Sequence, residues 1–255
     1  MKAFNLIVVV LFGALLLYAA EDFPQWGSAE TPANQSRVSE YYIQHTYNDT
    51  LVPNIVTAVL ADYRGYDTLF ETVVVFTAGI AIFSILGVGV MREKKNAVPP
   101  PYRVSVTSPR DLIVRVSCRI LVPIIQIFAL YVLAHGHHSP GGGFQGGVIL
   151  AASIILLELS SDLKENTAGF TNRIAVMQGI LGILIYGGWG TICVLLGGHF
   201  LDYSYAASII PDHADMARSH SMLIVEIGVA LTVSSIMVLI FRQLSSGGYT
   251  VEAKQ

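Results

Sequence analysis

The apolar sequence is interrupted at His135-Gly136-His137-His138-Ser139-Pro140-Gly141-Gly142-Gly143-Phe144-Gln145-Gly146-Gly147, which we call the glycine hairpin. Six glycines and one proline in thirteen residues predict a break in helical structure, because glycine costs about 1 kcal/mol and proline about 3 kcal/mol relative to alanine inside a helix. At a membrane, the backbone groups of such a break need water or neighbouring protein. The glycine hairpin therefore predicts a joint that lets two membrane spans approach closely.

The composition on both sides of the hairpin is that of a membrane protein. The chain is 53% hydrophobic and 13% charged, with a mean hydropathy of +0.58, whereas soluble domains are about 45–50% apolar and about 25% charged. Apolar blocks of about 20 residues suit helices that cross the hydrocarbon. We therefore expect an all-α integral membrane protein with about six transmembrane helices. The predicted spans are 3–20, 72–91, 113–133, 144–160, 174–196 and 222–241.

The spans divide into two predicted modules. A two-span module covers 1–96, a Pro-rich linker with three consecutive prolines covers 97–110, a four-span module covers 111–242, and a tail follows at 243–255; consecutive prolines favour an extended linker. The first apolar segment has two interpretations, a cleaved signal peptide or an uncleaved first span. Tyr18 makes the cleavage site poor, which favours the span. An apolar face at Ile55, Val56, Val59 and Leu60 predicts a short interfacial helix.

Charge asymmetry predicts the orientation. If Lys2 is cytoplasmic, twelve of the fifteen Lys and Arg residues fall on its side, and only Arg37, Arg64 and Arg218 fall in outer loops. The positive-inside rule then places both termini in the cytoplasm of a cell whose inner membrane holds the chain. The glycine hairpin faces outward in this arrangement.

Carboxylates within the spans are the first candidates for an ion pathway, since ionisable groups are costly in a membrane. Glu226 is predicted to lie one and a half turns into the sixth span, with a structural hydrogen-bonding role as the alternative. Glu71 and Asp67 are spaced i, i+4 at the start of the second span, so they share a helix face. Two such carboxylates suit proton or sodium binding, although acids at a helix N-terminus are also favoured by the dipole.

Three further features complete the candidate site. Glu158, near the cytoplasmic end of the fourth span, is either functional or extends its carboxylate to the interface. His137 and its neighbouring histidines are expected to border an outward aqueous opening, where imidazole can relay protons. Gln178 is expected to hold neighbouring helices together. The structural residues of the hairpin are Pro140, Gly141, Gly142, Gly143, Phe144, Gly146 and Gly147.

Several functional classes are excluded or disfavoured by the sequence. No basic cluster with interleaved aromatics suggests nucleic-acid binding, and the hairpin lacks the Gly-Lys-Ser/Thr ending of a phosphate loop. Cys118 and Cys193 lie inside apolar blocks and form no zinc spacing. We expect no metal, no cofactor and no catalytic residues, with Na+ and H+ as transported ions.

Two stretches resemble one known family. The hairpin residues 136–147 look like the motif of the B subunit of Mrp-type multisubunit sodium/proton antiporters, and Glu226-Ile227-Gly228-Val229 resembles its carboxylate-x-Gly-Val element, where Asp is more usual. The stretch Pro53–Glu71 is similar to the C-terminal end of the antiporter A subunit and to the small E-type subunit of membrane-bound hydrogenases. Phe70 stands where that pattern commonly has Gly, while the acid at Glu71 is kept.

The resemblance implies a fused subunit of a cation/proton antiporter module, working beside other antiporter-module membrane subunits in the lipid bilayer. Glu71 matches the A-tail acid associated with the cation path, so Glu71→Gln is expected to abolish sodium-coupled transport without loss of assembly. A structural lateral subunit that seals the pathway is the alternative. Whether the module is free-standing or attached to hydrogenase or other redox subunits stays open, and so does membership of a redox-driven enzyme.

Overall fold

The computed structural model describes residues 2–28, 30–32, 34, 36–93, 109–160, 170–210 and 214–245. Within these ranges all regular structure is helical, in agreement with the predicted all-α class. Residues 97–108 of the predicted linker and 246–255 of the predicted tail lie outside the described residues. Six helices are long and apolar enough to cross a membrane, as predicted.

The helices follow one another along the chain with two short irregular turns between them. Their bounds are α1 Lys2–Glu21, α2 Arg37–Thr50, α3 Ile55–Ala58, α4 Gly65–Glu93, α5 Pro109–Ala134, α6 Gly143–Ser160, α7 Asn172–Leu195 and α8 Ala214–Ser245. A π-helical turn, Val59–Tyr63, connects α3 to α4, and a 3-10 turn, Tyr203–Ser208, precedes α8.

The chain divides into two compact units. The first unit, Met1–His45, contains α1, and no residue of its apolar segment Phe4–Glu21 is buried. The second unit, Thr46–Gln255, contains the other five spans. The predicted short helix at 55–63 is present there, but the side chains it buries are Thr57, Ala58 and Ala61, while Val56 and Leu60 face outward.

Helix α8 lies at the centre of the second unit. Its span Met216–Ser245 is 67% buried, against 33% or less in the other five spans. The apolar core gathers around this helix, with Tyr186 of α7 and Tyr203 of the 3-10 turn packed against Met222, Val225 and Val229 of α8. A second cluster toward the other end contains Ala175, Ile236 and Leu239.

Two spans begin earlier than hydropathy predicts. Helix α4 starts at Gly65 and α8 starts at Ala214, so the predicted starts at residues 72 and 222 were wrong. Arg218, predicted to lie in an outer loop, is in the second turn of α8 and pairs with Asp62 of the π turn. Because internal partners satisfy these polar side chains, the helices continue through sequence too polar for a hydropathy window.

The glycine hairpin breaks the helix as predicted. Helix α5 ends at Ala134 and α6 begins at Gly143. Gly142 has a φ of +135°, a conformation that side-chain-bearing residues rarely adopt. A Cβ on Gly141 would lie 2.7 Å from the carbonyl oxygen of Val132, and one on Gly146 would lie 3.1 Å from that of Ala129. The glycines therefore let α5 and α6 pack closely.

Candidate functional site

Glu226 lies deep within α8. It follows Ala214, the first residue of the helix, by twelve positions, which is about three turns rather than the predicted one and a half. Its residue surface is 8% exposed. A carboxylate at this depth is expensive to ionise without compensation, so its surroundings decide what it does.

The glycine hairpin packs directly against the Glu226 side chain. A Cβ on Gly142 would lie 2.8 Å from Oε1 of Glu226, and a Cβ on Gly136 would lie 2.9 Å from Oε2. A Cβ on Gly143 would lie 2.9 Å from the Glu226 Cα. Only glycine leaves room for the carboxylate at these three positions. Two features that the sequence suggested separately, the hairpin and Glu226, thus form one site.

The hydrogen bonds of this carboxylate are incomplete. The backbone N–H of Gly143 donates to it. Oε2 is buried and has no hydrogen-bond partner among the described residues. An unsatisfied buried oxygen costs free energy and is uncommon in folded proteins. This oxygen is therefore available to a proton, a cation or a water molecule.

His137 lies next to the same site. Its ring nitrogen Nδ1 is buried and also lacks a partner within the described part of the chain. Burial lowers the pKa of His137 from 6.5, and the nearby rings of His138, His135 and His220 lower it further. The neutral imidazole is thus favoured near neutral pH, and this form can both accept and donate a proton.

Glu71 and Asp67 lie away from this buried centre. Both side chains are exposed on the surface of α4. Nε of Arg64 donates a hydrogen bond of 2.5 Å to Oδ2 of Asp67. Their shared helix face is as predicted, while their role in an ion pathway stays a prediction.

Glu158 forms a buried ion pair, so its predicted alternative of extending to the interface was wrong. Its Oε1 accepts a 2.9 Å hydrogen bond from Nε of Arg242 and a second one from Nη2. Nη1 of Arg242 donates to Asn172 at 3.1 Å. The two charged side chains are 5% and 10% exposed. This pair joins the C-terminal ends of α6 and α8.

Two buried tyrosines fix the π turn, and sequence reasoning missed both. Oη of Tyr186 donates to the Gly65 carbonyl at 2.9 Å, and Oη of Tyr203 donates to the Ala61 carbonyl at 2.8 Å. Burial raises the pKa of Tyr203 well above 10, so its hydroxyl keeps its proton. Aromatic residues within apolar stretches give no local indication of such contacts.

Comparison with known proteins identifies two matching segments. A family described as "Domain related to MnhB subunit of Na+/H+ antiporter" matches residues 113–239. A second family, MbhE, described as the E-type component of MBH, matches residues 26–103. A protein of Staphylococcus haemolyticus named as antiporter subunit mnhB2 is 31% identical over 137 residues, which are 54% of this chain and 96% of that protein. Its Staphylococcus aureus counterpart is 28% identical over the same length.

Two solved structures share the fold. A chain of the Mrp complex from Dietzia sp. DQ12-45-1b has a TM-score of 0.69 at 25% identity, over 99% of this chain and 27% of that longer one. A chain of the membrane-bound sulfane sulfur reductase, an archaeal respiratory membrane complex, has a TM-score of 0.65 at 24% identity, over 94% and 95% of the two chains. Both relatives are parts of multisubunit membrane complexes.

Proposed function

Because the chain belongs to the family of the MnhB subunit of Na+/H+ antiporters and is a multi-pass membrane subunit of an Mrp-type antiporter module, we propose that Glu226 carries ions in that module. The observation behind this proposal is the buried Oε2 atom of Glu226, which has no partner among the described residues and lies under the backbone of Gly136.

Charge balance explains how such a carboxylate would work. A lone anion is unfavourable at this depth, so Glu226 would hold either a proton or a monovalent cation and exchange one for the other. Binding must be weak enough to allow release on the far side. His137, beside the hairpin, would pass protons between the outward aqueous phase and the carboxylate through its free Nδ1 atom.

The other candidate residues take different parts in this proposal. Glu71 and Asp67, exposed on α4, would face a neighbouring membrane subunit along the cation path. Glu158 is compensated by Arg242, so it would act at the inner end of the pathway without carrying a net charge of its own.

The chain's surroundings follow from the same reasoning. We propose a cytoplasmic membrane location with both termini inside, and partners that are other antiporter-module subunits, with or without a redox arm such as a hydrogenase. We also propose that 1–96 and 111–242 are two fused modules. The match of 99% of this chain to part of one longer Mrp chain supports the fusion.

The proposal is tested by Glu226→Gln, which keeps the shape of the side chain but removes the ionisable group. In membrane vesicles containing the assembled complex, Na+/H+ exchange should fall at least about tenfold, as expected when a buried charge interaction worth over about 1.4 kcal/mol is lost. Glu40→Gln, an exposed carboxylate on α2, is the matched control and should leave exchange unchanged. Glu71→Gln in the same assay tests the second candidate.

The alternative function is a structural subunit that seals the pathway. The close packing of Gly136, Gly142 and Gly143 around Glu226 favours it. It predicts normal exchange in Glu226→Gln and loss of assembly in Gly142→Ala. Normal exchange in both Glu226→Gln and Glu71→Gln would decide for this alternative.

A further inference from the structure

The glycine hairpin is held in place by hydrogen bonds from a distant part of the sequence. Nδ2 of Asn54 donates to the carbonyl oxygens of Gly136 at 2.7 Å and of Ser139 at 2.8 Å. Oγ1 of Thr57 donates to the same Gly136 carbonyl at 2.6 Å. The backbone N–H of Asn54 donates to the carbonyl of His137 at 3.3 Å. We call these contacts the hairpin clamp.

The clamp is rigid on its own side. Oδ1 of Asn54 accepts from the backbone N–H of Val56 at 3.0 Å and so caps α3. This bond fixes which end of the amide faces the hairpin. Thr57 is 2% exposed, so its hydroxyl has no competing water. Both donors are thus already oriented toward the Gly136 carbonyl.

The residue that the clamp holds is the one that covers the candidate carboxylate. Gly136 is buried, and its Cα is close enough to Glu226 that an added Cβ would lie 2.9 Å from Oε2. Asn54 and Thr57 therefore reach Glu226 through a single backbone unit. If these bonds broke, the hairpin would be free to lift and water would reach Oε2.

We propose that Asn54 and Thr57 are positioning residues that hold the Gly136 backbone over the Glu226 carboxylate and so control its access to outside water. As a role in transport, the inference rests on the proposed function of Glu226. The position of the hairpin itself can be measured whether or not Glu226 carries ions.

Two variants separate the clamp from the other roles of these residues. Asn54→Asp keeps an oxygen that caps α3 but removes both amide donors to the hairpin. Thr57→Val keeps nearly the same volume and removes the hydroxyl donor. Thr57→Ser keeps the hydroxyl and serves as the conservative rescue. Thr191→Val removes an exposed hydroxyl that bonds only within α7, at 2.8 Å to the Gly187 carbonyl, and is the matched control.

The measurement compares two carbodiimides on the assembled complex in vesicles. A water-soluble carbodiimide reports carboxyl groups that water reaches, while dicyclohexylcarbodiimide reports those in apolar surroundings. Peptide mass spectrometry gives the modified fraction of Glu226 for each reagent, and co-purification of partner subunits confirms assembly. Na+/H+ exchange is recorded against pH on the same vesicles.

We expect the ratio of water-soluble to apolar modification at Glu226 to rise about threefold to tenfold in Asn54→Asp and Thr57→Val, the change expected from one lost net hydrogen bond. Exchange should fall and its pH profile should shift in both variants. Thr57→Ser and Thr191→Val should match the unmodified chain.

An unchanged ratio in both assembled variants would overturn the clamp. A raised ratio with unaltered exchange and pH profile would overturn its role in transport. Failure of the proposed function gives a different result, namely normal exchange in Glu226→Gln, and leaves the modification ratios of the clamp variants unaffected.

Discussion

The Arg242–Glu158 ion pair is almost closed to solvent at the end of α6 that is remote from the glycine hairpin. Taking charges out of water is costly, so such a pair is tolerated only when both members are present. Removing one member leaves the other as an uncompensated buried charge. The two residues should therefore behave as a unit.

We expect Glu158→Gln to destabilise the purified complex by about 3–5 kcal/mol, because the Arg242 guanidinium loses its counter-charge. The double variant Glu158→Leu and Arg242→Leu should recover most of this loss. Thermal melting of the complex in detergent, arranged as a double-mutant cycle, measures the coupling. Additive effects of the two single changes would show that the pair contributes nothing as a pair.

At this scale the sequence identified single charges but not their partners. Glu226 was recognisable because it interrupts an apolar run. Arg242 was assigned to the cytoplasmic charge cluster, since it is 84 positions from Glu158 in the sequence and no local spacing connects them. The Arg218–Asp62 pair, 156 positions apart, was missed for the same reason.

Among the elements, α7 and α8 are packed through two glycines. A Cβ on Gly228 would lie 2.6 Å from the carbonyl oxygen of Gly182 and 3.3 Å from the backbone nitrogen of Tyr186. Small residues at such a crossing let helix backbones approach within a membrane. The sequence predicted a close neighbour at Gly228, and the structure identifies it as α7. Gln178 also bridges these helices, donating to Ser234 at 3.1 Å.

Gly228→Ala is expected to destabilise the chain by about 1–3 kcal/mol, because the added methyl group meets backbone that cannot move aside. Gly187→Ala on α7 is the matched control, since no atom lies within 4 Å of the added Cβ and alanine favours a helix by about 1 kcal/mol over glycine. Melting temperatures of the two variants provide the measurement. Equal losses would mean that a partner subunit covers Gly187.

At the scale of the whole molecule, composition and hydropathy were sufficient to predict six helical spans. They were insufficient to rank the spans by burial, because residues that face lipid and residues that face the core are equally apolar. Helix α8 is central and 67% buried, while the span of α5 is 17% buried. Side-chain packing decides this order, and hydropathy does not record it.

We expect the intact chain to purify in mild detergent with other antiporter-module membrane subunits, because its relatives are parts of multisubunit membrane complexes. Mass spectrometry of the partners and an iron and nickel assay on the same sample provide the measurement. Antiporter-like subunits without these metals would indicate a module driven by ion gradients. Iron-sulfur and nickel subunits would indicate a redox-driven pump. Recovery of the chain alone would contradict the expectation.

The hairpin clamp also bears on how the molecule is put together. Asn54 and Thr57 belong to the segment matched by one family, and Gly136 belongs to the segment matched by another. The Staphylococcus haemolyticus relative is covered over 96% of its length by little more than half of this chain, and so is nearly accounted for by the second segment. Joining both segments in one polypeptide gives them equal copy number. It also turns an encounter between subunits into the closure of a loop, at the high effective concentration that a tether provides.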